Sequence, residues 1–172
     1  VSLIFSVILM LALLPYLSVN LQLPFIKHAK IFMGDTGSML IGFTVVWLLV
    51  KGTQAQSQSF SATTALWLIG FPLMDMVRVM LGRYLQGKSI FEADRTHLHH
   101  ILLDYNRAKH NALLKIIALV SVLALLGVFL QVFKVQESIS LILFLATFMF
   151  YTFTVNRIHK QVKQQTQLTS TV

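Results

Sequence analysis

Five runs of apolar residues, roughly Ser2 to Val19, Met33 to Val50, Ala62 to Leu81, Ala112 to Phe133 and Ile139 to Val155, dominate the pattern of the chain. Each is close to the ~20 residues that cross a hydrocarbon core as a helix. The pattern therefore predicts an all-α chain, a polytopic transmembrane helix bundle of about five spans. Gly42 interrupts the second run, and Gly70 and Pro72 interrupt the third. Membrane helices tolerate such residues when neighbouring helices satisfy the freed backbone groups.

Five spans place the joints alternately on two sides. Lys27, Lys30, Arg83, Lys88, Arg95, Arg107, Lys109, Arg157, Lys160 and Lys163 fall on one side, and only Lys51 and Lys134 on the other. The positive-inside rule makes the first side cytoplasmic. The external joints, "KGTQAQSQSFS" and "KVQES", are short and poor in reactive groups, whereas five of the six histidines lie in the two cytoplasmic joints. Function is expected on the cytoplasmic face. There, Leu98, Ile101, Leu102 and Tyr105 follow an i, i+3, i+4, i+7 spacing. That spacing predicts a short amphipathic helix along the membrane surface, with Asp94 as its N-cap.

Composition agrees with lipid as the solvent: 56% of residues are hydrophobic and 12% charged, with a mean hydropathy of +0.73, values outside the usual globular range. The net charge of +8 does not point to nucleic acid, because the basic residues are scattered between apolar runs without interleaved aromatic platforms. Without cysteine, disulfides and thiolate metal sites are excluded. The chain opens at Val1, straight into an apolar run without a basic leader region, as a sequence beginning mid-protein would. Residues 1–155 are expected to form the membrane-embedded part, and 156–172 a basic cytoplasmic tail, disordered near anionic lipid.

Two stretches carry chemistry. "KIFMGDTGSMLIGF" places Gly34, Asp35, Thr36, Gly37 and Ser38 where a cytoplasmic joint becomes a helix. Free backbone N–H groups and the helix dipole favour anions there, and an aspartate can hold a divalent cation beside a phosphate. A plain capping role for Asp35 or Thr36 is the simpler alternative. "DTGS" also allows an intramembrane aspartyl protease, in which Asp35 and Asp75 would share a proton. Asp75, inside an apolar run, requires a partner, and Arg78, three residues on, lies on the same helical face.

The second stretch is "FEADRTHLHH". On a helix, His97, His100 and Asp104 share a polar face while His99 points elsewhere. All three imidazoles meet one ligand only if the first part is a loop. A zinc site would have to use His97, His100 and a carboxylate, whereas an anion site would use Arg95 as a fork and the imidazoles as donors. A solvated polar face is the third alternative.

Together, "FMGDTGSMLIG", "ALWLIGFPLMDM" and "DRTHLHH" resemble the C-terminal half of the polyprenyl-phosphate N-acetylhexosamine-1-phosphate transferase family. The details sit nearer the N-acetylglucosamine branch than the muramoyl-pentapeptide branch, which would show a run of three histidines. The resemblance implies transfer of N-acetylglucosamine 1-phosphate from UDP-N-acetylglucosamine to undecaprenyl phosphate, with release of UMP. It further implies Mg2+, a bacterial inner-membrane location with a cytoplasmic active site, and a product that initiates an O-antigen or common surface polysaccharide. On it, Asp35 is the catalytic, metal-binding aspartate; Gly34, Gly37 and Ser38 shape a phosphate cradle; His97, His99, His100 and Arg95 contact the nucleotide diphosphate. The adjacent aspartates of the family's N-terminal half are absent from this sequence, so that half is an expected partner. A catalytically incomplete membrane fragment is the remaining alternative.

Overall fold

The computed structural model describes residues 2–20, 31–54, 59–89, 96–106 and 109–170. It divides into two units, Val1–Ser57 and Gln58–Val172, and every regular element among the described residues is a helix.

The first unit holds α1 (Ser2–Asn20) and α2 (Gly34–Gln54). Phe5 of α1 meets Trp47 of α2 edge-on, with ring centroids 5.9 Å apart. Apolar side chains stay exposed along both helices, among them Met10, Leu11, Met39 and Phe43, as helices solvated by hydrocarbon require. Thr44, the buried residue of α2, turns its hydroxyl onto the Leu40 carbonyl at 2.7 Å.

The second unit contains α3 (Ala62–Leu68), α4 (Gly70–Leu85), α5 (Leu98–Asn106), α6 (Lys109–Val132) and α7 (Glu137–Ser170). α2, α6 and α7 are long and apolar enough to cross a membrane. The third apolar run is a helix pair, α3 and α4, bent by 77° at Ile69. Pro72 explains the break: its nitrogen cannot donate to the carbonyl four residues back, and its ring crowds that turn. Gly70 adds freedom beside it. Among the described residues, three helices, or four spans with the bent pair counted as one, are long and apolar enough to cross a membrane; the described apolar part of α1, Ile4–Asn20, is shorter than these.

An apolar core joins the helices of the second unit. Trp67, fully buried, and Met74 pack with Leu98, Ile101, Leu102, Leu123, Phe144, Tyr151 and Val155. Trp67 presses directly on Gly127 of α6, where a Cβ would stand 2.3 Å from the Trp67 Cβ. Its indole N–H donates to Ser140 Oγ at 3.1 Å, and its ring meets Phe144 edge-on at 5.2 Å. One end of the core is closed by a polar knot. Ser61 caps α3 by accepting from Thr64 N–H, while Gln131 Oε1 accepts from Ser61 N–H and Thr64 Oγ1.

Two features depart from the sequence pattern. The stripe Leu98, Ile101 and Leu102 of α5 is buried in this core against α6 and α7, so the protein rather than lipid receives the apolar face expected at the membrane surface. Residues 156–170 of the segment expected as a disordered tail are instead helical: α7 runs unbroken to Ser170 over 34 residues, about 50 Å at 1.5 Å per residue. Ile158 and Val162 explain this locally. They continue the spacing of Tyr151 and Val155 and pack on the same core.

α6 ends with Lys134 at φ 51. Val135 N–H reaches the Leu130 carbonyl and Lys134 N–H the Gln131 carbonyl, the Schellman pattern in which glycine is usual at the left-handed position. Gly87 does the same after α4 at φ 68, with Lys88 N–H on the Arg83 carbonyl.

Candidate functional site

The first chemical stretch opens α2. Gly34, at φ 71, takes the left-handed conformation that glycine adopts without a Cβ clash, and it turns the incoming chain into the helix. Asp35 lies within the first turn, rather than in the preceding cap position, and is exposed. Its carboxylate makes no hydrogen bond or ion pair among the described residues. Ser38 Oγ donates to the Asp35 carbonyl at 2.9 Å, so its hydroxyl is engaged by the helix backbone. A Cβ on Gly37 would come 2.7 Å from Met33 Cγ, the flexible part of a side chain.

These donors suit magnesium as one ligand suits it. The ion commonly takes one or two carboxylates and completes its shell with phosphate oxygens and water, and Asp35 offers such an oxygen at a helix start that also favours anions. Among the described residues no group of three or more His, Asp or Glu converges to hold a metal unaided. The zinc reading of the histidine stretch therefore finds no support there.

The second stretch is built around Asp75, which the bent α4 carries into the core. Its side chain is only 8% exposed. Arg78 Nη2 donates to Oδ1 at 2.9 Å, the ion pair expected from the spacing. The same nitrogen donates to the Thr96 carbonyl. Tyr151 Oη, from α7, donates to Oδ1 at 2.9 Å. Leu98 N–H lies 3.2 Å from Oδ1 and 3.4 Å from Oδ2, and His97 Nδ1 lies 2.9 Å from Oδ2. One carboxylate thus ties α4, the histidine loop, the start of α5 and α7 together.

Asp94 and Arg95 lie outside the described residues. α5 begins at Leu98, and the His97 carbonyl accepts from His100 and Ile101 N–H, so His97 stands where the cap was expected of Asp94. Lying before the first turn frees its ring from helical spacing. The three imidazoles therefore gather: His97 and His99 stack at 5.8 Å and 20°, and His99 and His100 sit 4.1 Å apart. This is the loop arrangement that the sequence left as the condition for a shared ligand. Partial desolvation lowers the His99 pKa below the ordinary 6.5; the neighbouring His100 and His97 add to this, while Asp75 opposes it.

Tyr151 and the Thr96 carbonyl were not anticipated. The signal for Tyr151 was present in "FMFYTFTVN": a phenol inside a spanning run must find an acceptor for its hydroxyl. Which acceptor depends on packing.

Residues 1–53 match the family model described as glycosyl transferase family 4. The likeness to individual proteins then extends over most of the chain. It is 38% identical over 152 residues to the undecaprenyl-phosphate alpha-N-acetylglucosaminyl 1-phosphate transferase of Pasteurella multocida, covering 88% of this chain and 43% of that protein. The proteins of the same name from Haemophilus influenzae and Salmonella typhi are 39% and 42% identical over 150 residues, 87% of this chain and 42% and 41% of theirs. The chain spans less than half the length of these relatives, and the resemblance read from its motifs stands. No solved structure matches it.

Proposed function

We propose that this chain carries the C-terminal share of an enzyme transferring N-acetylglucosamine 1-phosphate from UDP-N-acetylglucosamine to undecaprenyl phosphate. The observation that carries the reading is the extent of the likeness. A 150-residue match to the Salmonella typhi transferase within 172 residues necessarily includes both Asp35 and the stretch from His97 to His100.

In this reaction an oxygen of the lipid phosphate attacks the sugar-linked phosphorus. The bond from that phosphorus to the bridging oxygen breaks, and UMP departs with the electron pair. Catalysis of such transfers is mainly positioning and charge neutralisation. Asp35 would hold the magnesium ion, which when bound offsets charge on the phosphate oxygens. Gly34 and Gly37 let a phosphate approach the backbone at the start of α2, with Ser38 beside them. On the resemblance, His97, His99 and His100 would line the nucleotide-diphosphate site, and Arg95 would supply a bidentate fork.

The charge asymmetry of the joints supports an active site on the cytoplasmic face of a bacterial inner membrane, where a soluble nucleotide sugar meets a lipid acceptor. Residues 1–155 would serve as the membrane part and 156–172 as a basic extension beyond it. The product would initiate an envelope glycan such as O-antigen. The protease alternative fits less well, since Asp75 is surrounded by donors, whereas a proton-sharing carboxylate needs another acid.

The test is transfer of labelled N-acetylglucosamine 1-phosphate to undecaprenyl phosphate in membranes holding this chain, alone and with the N-terminal half of a relative, with and without magnesium. Transfer by the pair, dependent on magnesium, is expected. No transfer although both parts insert and associate refutes the reading.

A further inference from the structure

We propose that Asp75, with Tyr151 behind it, is a positioning pair that fixes the His97 ring with its proton on Nδ1 and leaves the Nε2 lone pair to accept a proton from the reacting groups. The proposal rests on the transferase reading for the identity of the ligand, but the ring geometry stands independently of it.

Arg78 Nη2, Tyr151 Oη and Leu98 N–H all point at the Asp75 carboxylate, and all can only donate in these contacts. A carboxylate so surrounded acts as an acceptor. The fourth neighbour, His97 Nδ1 at 2.9 Å from Oδ2, must then carry the hydrogen. A neutral imidazole holds one proton, so Nε2 is the nitrogen with the open lone pair. Carboxylates that accept from the far nitrogen of a working histidine set its tautomer and orientation in this way.

The placement separates this role from a plain ion pair. Arg78 pairs with Asp75 within α4 through Oδ1, yet the carboxylate also reaches the loop and α7. Tyr151, 76 residues further along the chain, also donates to Oδ1. The imidazole it serves remains one-third exposed, with a side-chain accessibility of 34%, while the carboxylate is buried. A purely structural anchor has no need of an accessible ring at its end.

Asp75→Asn distinguishes the two roles. It keeps the shape and can still accept from Arg78 and Tyr151 through its oxygen, but its NH2 then faces His97 and converts Nδ1 into an acceptor. The proton moves to Nε2. Nitrogen-15 spectra of histidine-labelled full chain in detergent, at alkaline pH, should show Nδ1–H for His97 and a switch to Nε2–H in Asp75→Asn. In the paired membrane assay, Asp75→Asn should lower kcat about 10–100-fold, the scale for losing such a support, with the KM for undecaprenyl phosphate unchanged. Tyr151→Phe, whose ring keeps its place lining an apolar cavity of ≈ 260 Å³, should fall several-fold and retain Nδ1–H; it serves as the second variant if Asp75→Asn does not fold. Nε2–H in the wild type overturns the proposal, as does normal kcat in both variants beside an active wild type. An inactive wild type with the expected tautomer removes the transferase reading and leaves the positioning of His97 in place.

Discussion

Gly127→Ala tests the packing that holds the bent helix pair in place. An added Cβ would lie 2.3 Å from Trp67 Cβ and 2.9 Å from Trp67 Cγ, against ordinary contact beginning at 3.4 Å, so α3 and α6 must part by roughly the 1.1 Å shortfall. Trp67 cannot yield alone. It is fully buried, stacked edge-on against Phe144 and bonded through its indole N–H to Ser140. Small residues at such seams allow the close approach on which membrane helix association depends. Overpacking costs about 1–3 kcal/mol, and loss of the indole bond adds about 1 kcal/mol. At ~2–4 °C per kcal/mol for a chain of this size, the melting midpoint should fall by roughly 5–15 °C. Thermal unfolding in detergent, followed by circular dichroism and tryptophan fluorescence, measures it. Gly42→Ala is the control, since a Cβ there meets nothing within 4 Å and a helical Gly-to-Ala change favours the helix by ~0.5–1 kcal/mol. If Gly127→Ala melts alongside Gly42→Ala, the reasoning from contact distance is wrong.

Other outcomes follow from the same structure. Asp35→Asn in the complete protein should lower turnover by ~100-fold, the scale of removing one electrostatic stabiliser; near-normal transfer across a magnesium titration would refute its metal role. Lys134→Gly should raise stability by about 0.5–1 kcal/mol by relieving a left-handed residue, and Lys134→Val should lower it; the reverse order in thermal melts would contradict the Schellman reading. Because the His99 pKa is lowered in the fold, the unfolded chain binds more protons just below pH 6.5. Stability should therefore be lost as pH falls from 6.5 towards the lowered value and be retained above it. His99→Gln should remove that part of the slope in a pH series of melts, and an unchanged slope would count against it.

The spanning helices were legible because burial in lipid demands long apolar runs whatever the packing, and α2, α6 and α7 follow the runs that the sequence shows. The chemical stretches were legible for a related reason: polar and ionisable residues are conspicuous in so apolar a chain, and "GDTGS" and "DRTHLHH" have motif spacings of their own. The 77° break at Ile69 was only hinted at by Gly70 and Pro72, since whether proline kinks or divides a helix depends on what packs around it. The fate of the Leu98, Ile101 and Leu102 stripe was likewise undetermined. An apolar face reads the same whether lipid or protein covers it, and here α6 and α7 do. Ile158 and Val162 carry α7 beyond the spanning run by packing on that same core. Most of all, tertiary structure decided Asp75. Sequence could offer it Arg78, its neighbour on one helix face, but a hydrogen bond from Tyr151, 76 positions away, and the capture of His97 exist only once four separate segments converge on one carboxylate.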